Sequence, residues 1–243
     1  MFRSSLLSAR YAFVDVETTG FSPTADAVVE VGCVVVEGGQ ALATFETLVN
    51  PGRAIPPAVT AIHGITDAQV VSKPPLAAVA PLLEALCAGA IVVAHNAVFD
   101  LSFLPFLQSR PSLCSYRFAA RVVPDAPNHK CQTLRDFFAV RDPILESRDP
   151  HRALADAAVT RHIFFACLRR YLAAGLPNDV NAMLAFTRRH PQLCRYELRA
   201  RAPLCHAEQS LSRARRGIEG QPLSRNQTNC MVSTATVPKF YFR

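Results

Sequence analysis

No apolar run in the 243-residue chain is long enough to span a bilayer, so no membrane-spanning helix and no membrane partner are expected. Residues 1–10 lack the apolar centre of a secretory signal; they are short, rich in Ser and Arg, and read as an N-terminal extension. The eight cysteines stand at 33, 87, 114, 131, 167, 194, 205 and 230, and no two of them show the C-x-x-C spacing of a zinc site. Several lie inside apolar segments and Cys205-His206 is adjacent rather than spaced, so they read as reduced thiols of a cytoplasmic protein. There is no internal repeat, which excludes a solenoid or propeller. An excess of either charge is also missing from most of the chain. Residues 1–175 carry 15 Lys+Arg against 15 Asp+Glu, whereas residues 176–243 carry 11 against 4, which accounts for the whole net charge of +7. A basic tail attracts polyanions, nucleic acid among them, regardless of sequence.

Half of the residues are hydrophobic, and the length suits one globular core with an appendage. Residues 11–16 are apolar but too few for a typical helix, and read as a strand buried on both faces. Residues 28–36 are rich in β-branched side chains and read as a second strand, Gly38-Gly39 as a hairpin turn, and residues 42–49 as a third strand. Together they predict an antiparallel meander. Thr66 or Asp67 is expected to cap a helix after the His63-Gly64 turn. Residues 76–87 read as a helix with Leu82, Leu83 and Leu86 inward, residues 90–94 as a buried strand, and Phe99 to about Gln108 as a helix. Short helices follow at 116–122 and after Thr133, read as a cap. The last strong helix opens at Asp149-Pro150-His151, turns Leu154, Ala158, Phe165, Leu168 and Leu172 inward at close to a 3.6 period, and ends at Gly175. The order of elements predicts an α/β fold with a mixed sheet flanked by helices. Residues 176–243 are expected to be a basic, partly disordered extension, with one further helix at 180–187.

The residues that carry chemistry are acids where a neutral residue would pack better. Successive strand residues alternate in direction, so Asp15 and Glu17 project together from the end of the first strand. Two adjacent carboxylates repel unless a cation lies between them, and hard oxygen ligands suit magnesium or manganese. A lone D-x-E is more often a solvated strand end. Here it is joined by Asp100, after the buried strand at 90–94, and by Asp156, five residues beyond His151. Residues five apart on a helix differ by about 140° in direction. His151 and Asp156 therefore cannot face one site from mid-helix, and His151 must swing in from the helix start.

Asp15-Val-Glu17-Thr-Thr-Gly20, His95-Asn96-Ala-Val-Phe99-Asp100 and His151-Arg-Ala-Leu-Ala-Asp156 resemble, in order, the three motifs of the DEDDh 3'-5' exonucleases. Ile62-His63-Gly64-Ile65-Thr66 is similar to a fourth family stretch. The resemblance extends over about residues 11 to 172 and points to the proofreading epsilon subunits of bacterial DNA polymerase III and their free-standing relatives. It implies an RNase H-like fold with a five-stranded sheet in a domain at 11–175. It implies that Asp15, Glu17, Asp100 and Asp156 hold two divalent cations, Mg2+ or Mn2+, which together can clamp the attacking and leaving oxygens of a phosphoryl displacement. His151, whose unperturbed pKa lies near 6.5, would be the general base. Thr18, Thr19, Gly20 and Phe21 would line the terminal-nucleotide pocket, with His63, His95, Asn96 and Phe99 nearby; core packing is the other reading of Phe21 and Phe99. Leu113-Cys114-Ser115 departs from an Asp-Thr pair found in many relatives, outside the metal set. The implied substrate is nucleic acid with a free 3' end, DNA in preference to RNA, and the implied activity serves proofreading or repair, with a DNA polymerase as a partner. RNA 3'-end trimming and a non-catalytic docking module, through Gln209-Ser-Leu-Ser or Gln221-Pro-Leu-Ser, are the alternatives; the intact acids and His151 argue against the latter.

Overall fold

The computed structural model describes residues 5–146 and 151–201. A five-stranded sheet runs in the order β3-β2-β1-β4-β5. β1 (Arg10–Thr18), β2 (Val28–Glu37) and β3 (Gln40–Leu48) form the expected meander. Gly38 and Gly39 turn between β2 and β3 at φ 57° and 80°, a backbone that only glycine adopts without strain. β4 (Ile91–Ala94) pairs parallel with β1 on its free side, and β5 (Ser112–Cys114) pairs parallel with β4.

Between the meander and β4 come α1 (Pro57–His63), α2 (Asp67–Val70) and α3 (Leu76–Leu86). Thr66 caps α2 in a capping box with Gln69, as expected. α3 buries Val79 and Leu83, while Leu82, expected inward, is 54% exposed. The stripe that meets the sheet is one turn apart at 79 and 83, and Leu82 falls off its edge. α4 (Ala97–Phe103) stops sooner than expected because Leu104 precedes Pro105, and a 3-10 turn takes the chain on to Leu107.

α5 (Ser115–Val122) follows β5 directly. α6 (Cys131–Phe137) begins two residues before Thr133, which is therefore inside the helix rather than its cap. α7 (Pro143–Glu146) is a single turn. α8 (Ala153–Ala173) is buried almost all round. It starts later than residues 149–151 suggested: His151 precedes it and residues 147–150 lie outside the described residues.

The sheet is covered on both faces. On one, Tyr11 and Phe13 of β1 and Val34 and Val36 of β2 pack against Phe118 of α5 and Ile163, Phe164 and Tyr171 of α8. The rings of Tyr11 and Phe164 lie 4.7 Å apart between centroids, and each such fully buried side chain contributes about 1.5–3 kcal/mol. On the other, Ala12, Val14 and Val16 pack against Leu83 of α3 and Leu101 and Phe103 of α4. The core does not stop at Gly175. α9 (Val180–Arg188) and α10 (Pro191–Arg201) continue it with Val180, Met183, Phe186 and Cys194. The first compact unit accordingly runs from Met1 to Ala200, past the boundary expected at 175. It also takes in Leu6 of the N-terminal extension, which is buried and whose N–H donates to Asn178. The rest of the basic tail, with Gln209, Gln221 and Cys205-His206, lies outside the described residues.

Candidate active site

The face of β1 that packs on α8 changes character along its length. Tyr11 and Phe13 are core; Asp15 and Glu17 continue the same side of the strand and are half-buried. Their cross-strand partners on β2 are Gly32 and Glu30. Gly32 has a specific task. A Cβ there would lie 2.2 Å from the Ala153 carbonyl carbon and from the Leu154 nitrogen, so only glycine lets the start of α8 sit on the sheet beside Asp15. That close seating delivers Asp156, in the first turn of α8. Carboxylate oxygens of Asp15, Glu17 and Asp156 then lie within 4.8 Å of one another, near enough to share a cation.

Asp100 comes from the opposite layer. It sits in the first turn of α4 and is buried, with the backbone of Val16 and Asn96 near enough to favour its charged form. It is outside the three-residue cluster but close enough that its charge raises the pKa of Asp15. Burial, and then the neighbouring carboxylates, push Asp15 well above the usual carboxylate range. The same two causes bring Glu17 to about 8. Burial takes Asp100 to about 7, and it also raises Asp156, against the opposing pull of His151 and Arg135. Four acids that resist ionising together have the chemistry of a site for divalent cations with oxygen ligands.

His151 lies on the loop before α8, exposed, at φ 59°, a left-handed backbone rare outside glycine. It is near enough to act on the charge of Asp156. The off-helix position required by the sequence spacing is the one observed.

Glu30 and Arg152 escaped the reading of the sequence. Glu30 sits in an apolar run of β2, fully buried, and reads locally as an isolated charge in a strand. It receives two hydrogen bonds of 3.0 Å from Arg152 Nε, one from the Arg152 terminal nitrogen, and one of 2.9 Å from the Ala153 N–H. The pair ties the residue next to His151 to the strand opposite Glu17. A carboxylate and an arginine 122 residues apart leave no local signal of their partnership.

The residues expected at the nucleotide pocket divide into two groups. Thr18 and Thr19 are buried, and their hydroxyls donate within the turn, to the Gly20 carbonyl and to Asp26. Gly20 packs against the Asp26 carboxylate, where a Cβ would lie 2.4 Å away. His95 is held at both ring nitrogens: Nε2 donates to the His129 carbonyl, and Nδ1 accepts from the Ser115 hydroxyl, each at 2.9 Å. Burial lowers its pKa to about 4, so the ring is neutral. Buried His63 accepts the Ile65 N–H at Nδ1, which puts its proton on Nε2, and burial lowers its pKa too. The side chains of Thr18, Thr19, His63 and His95 are thus engaged inside the protein. The other group faces outward. Phe21 is 84% exposed, with its ring 6.4 Å from that of half-buried Phe99, and Asn96 is exposed at the start of α4.

A mixed sheet with helices on both faces, and acids converging where β1 ends, defines the RNase H-like class of nucleases. The Exonuclease family model (RNase_T) matches residues 12–164, and the chain belongs to the DEDDh 3'-5' exonuclease family. The DNA polymerase III subunit epsilon-like protein of Rhodobacter capsulatus is 37% identical over 195 residues, 76% of this chain but 27% of that relative. The DNA polymerase III subunit epsilon of Aquifex aeolicus is 32% identical over 174 residues, 68% of this chain and 84% of that one. Exonuclease X in complex with 5' overhanging duplex DNA superposes with a TM-score of 0.60 at 28% identity, covering 73% of this chain and 99% of that one. E. coli Exonuclease I with a dT13 oligonucleotide shares the fold at 16% identity and a TM-score of 0.57, over 73% of this chain and 46% of that one.

Proposed function

We propose that the protein is a metal-dependent 3'-5' exonuclease that removes mononucleotides from the 3' end of DNA, in proofreading or repair. The observation that supports this most is the convergence of Asp15, Glu17 and Asp156 within 4.8 Å, with Asp100 beside them and a histidine on the adjoining loop. Asp15, Glu17, Asp100 and Asp156 would hold two Mg2+ or Mn2+ ions. Bound there, the ions supply electrostatic stabilisation of the attacking and leaving oxygens in an in-line displacement at phosphorus. His151 takes the proton of the attacking water from its loop, and the P–O3' bond breaks as the water oxygen bonds to phosphorus. Phe21 and Phe99 offer ring faces on which the terminal base stacks.

DNA is favoured because the Exonuclease X relative binds a DNA duplex with a 5' overhang, the form in which a 3' end is recessed. Work beside a DNA polymerase accords with the names of the Rhodobacter and Aquifex relatives. The six described cysteines are all free thiols, which suits the reducing cytoplasm. The test is to give the purified protein 3'-labelled single-stranded DNA, a recessed duplex and RNA, each with Mg2+ or Mn2+. Mononucleotides should appear in order from the 3' end of DNA and stop in excess chelator. Full activity in chelator, or internal cuts alone, would overturn the reading; faster loss of RNA ends would reassign the substrate.

A further inference from the structure

A cavity of about 430 Å³ opens between α4, β5, α5 and α9. It is not lined by the acid cluster but lies along the same edge of the sheet. Val98, at the start of α4, follows the end of β4, and Arg117, at the start of α5, follows the end of β5. β5 is two strands from β1, so the cavity begins about 10 Å from the acids along the carboxyl ends of the parallel strands. In open sheets of this kind that edge is where ligands bind.

Its floor is apolar, with Ala97, Leu101 and Leu113, and its charged groups are all positive. Ser102 and Ser112 contribute hydroxyls, and Arg117 and Arg188 contribute two exposed guanidinium groups. Among the described residues neither arginine has a carboxylate partner within 4 Å, unlike neighbouring Arg189, which pairs with Glu197. Two more cations lie behind them without an acid. Arg121 is buried and donates to the Arg117 and Arg189 carbonyls, and Arg195 donates to the Ala120 carbonyl. Four arginines that no described acid neutralises make this corner electropositive, although the first 175 residues carry balanced charge. The buried Arg121 also fastens α5 to the turn after α9, so Arg117 and Arg188 are presented from elements that are tied together.

We propose that Arg117 and Arg188 form a subsite for the phosphodiester backbone of the strand whose 3' end enters the acid cluster, one to two nucleotides upstream of the bond to be cut. This rests on the exonuclease reading and adds to it how the enzyme holds on to a strand. Guanidinium groups match phosphate oxygens in a two-pronged geometry, and such contacts are blind to base sequence.

The experiment uses the full chain and single-stranded oligothymidylate, with binding followed by fluorescence anisotropy in excess chelator over a series of salt concentrations. In the Arg117→Ala/Arg188→Ala protein the slope of log K against log salt should become shallower by about 1.4, because each phosphate contact to a single strand contributes about 0.7. KM for oligothymidylate should rise with kcat unchanged, and cleavage of a thymidine phosphodiester too short to reach the cavity should not change. Arg117→Lys/Arg188→Lys, which retains both charges, should restore most of the slope, and this guards against loss of fold as the explanation. Arg53→Ala, which removes an exposed arginine elsewhere, should leave the slope within half of that change. A slope in the double alanine variant equal to that of the wild type would overturn the subsite, as would an equal loss on the short substrate. The slope is read without catalysis. A wild type that binds but never trims 3' ends would thus sink the exonuclease reading and leave the subsite standing on its own measurement.

Discussion

At the scale of single residues, metal holding and proton transfer are separable. Asp15 stands in the three-carboxylate cluster, and its pKa is raised by burial and then by the neighbouring acids. Asp15→Asn should abolish cleavage and weaken Mn2+ binding measured by calorimetry. His151 lies on a loop outside the cluster. His151→Ala should leave Mn2+ binding nearly unchanged while slowing single-turnover cleavage by about 100 to 10,000-fold, the range for a positioned general base. Near wild-type rates in His151→Ala would return that residue to an ordinary loop position. The alternation around Asp15 and Glu17 and the angular mismatch between His151 and Asp156 were readable from the chain, because both are consequences of local geometry. The employment of Thr18, Thr19 and His95 inside the protein was not. A hydroxyl or an imidazole in a motif looks the same whether its partner is a ligand, Asp26 or the His129 carbonyl.

At the scale of elements, the start of α8 is where sequence and structure part most usefully. The β2 run at 28–36 announced a strand, but nothing in it says that Gly32 must be bare for a helix to lie on it, or that Glu30 will meet Arg152. Those facts depend on a helix over a hundred residues away. Gly32→Ala should push the first turn of α8 off the sheet, costing about 1–3 kcal/mol or more as for other overpacked sites, and should separate Asp156 from Asp15. Circular dichroism melts should show the loss of stability. Mn2+ affinity should fall with it, although no ligand has been changed. A variant as stable and as active as wild type would show that the approach is not tight. α3 carries a smaller lesson: Leu82 belongs to the apolar run, yet the arc of a helix that one sheet can cover is narrower than the run.

At the scale of the whole molecule, the acid cluster makes stability depend on pH. Glu17 and Asp100 have folded-state pKa values of about 8 and about 7, above the ordinary 4.5 and 3.8. Where the folded form binds more protons than the unfolded one, stability falls as pH rises. The stabilisation from the protonated acids is complete below their ordinary values, and is lost progressively from there until pH has climbed through about 7 to 8. In chelator, the melting temperature should therefore drop across that interval. Mn2+ should flatten the drop, because a bound cation favours the ionised carboxylates. A melting temperature that is flat in chelator would mean that burial and mutual repulsion do not hold these acids protonated. The extent of the folded unit also makes a prediction about truncation. Ending the chain after Leu176 removes Val180, Met183 and Phe186 from the core and should give an insoluble or strongly destabilised protein, whereas ending it after Arg201 should preserve activity.

All five strands and seven helices from α1 to α7 are made before α8, so most of the folded unit separates Asp15, on β1, from Asp156. A ribosome delivers Asp15 early and Asp156 late in the synthesis of the unit, after every strand of the sheet. A nascent or prematurely terminated chain that lacks α8 thus holds only part of the cutting centre. By this order of assembly, the cutting centre cannot be complete before α8 has left the ribosome.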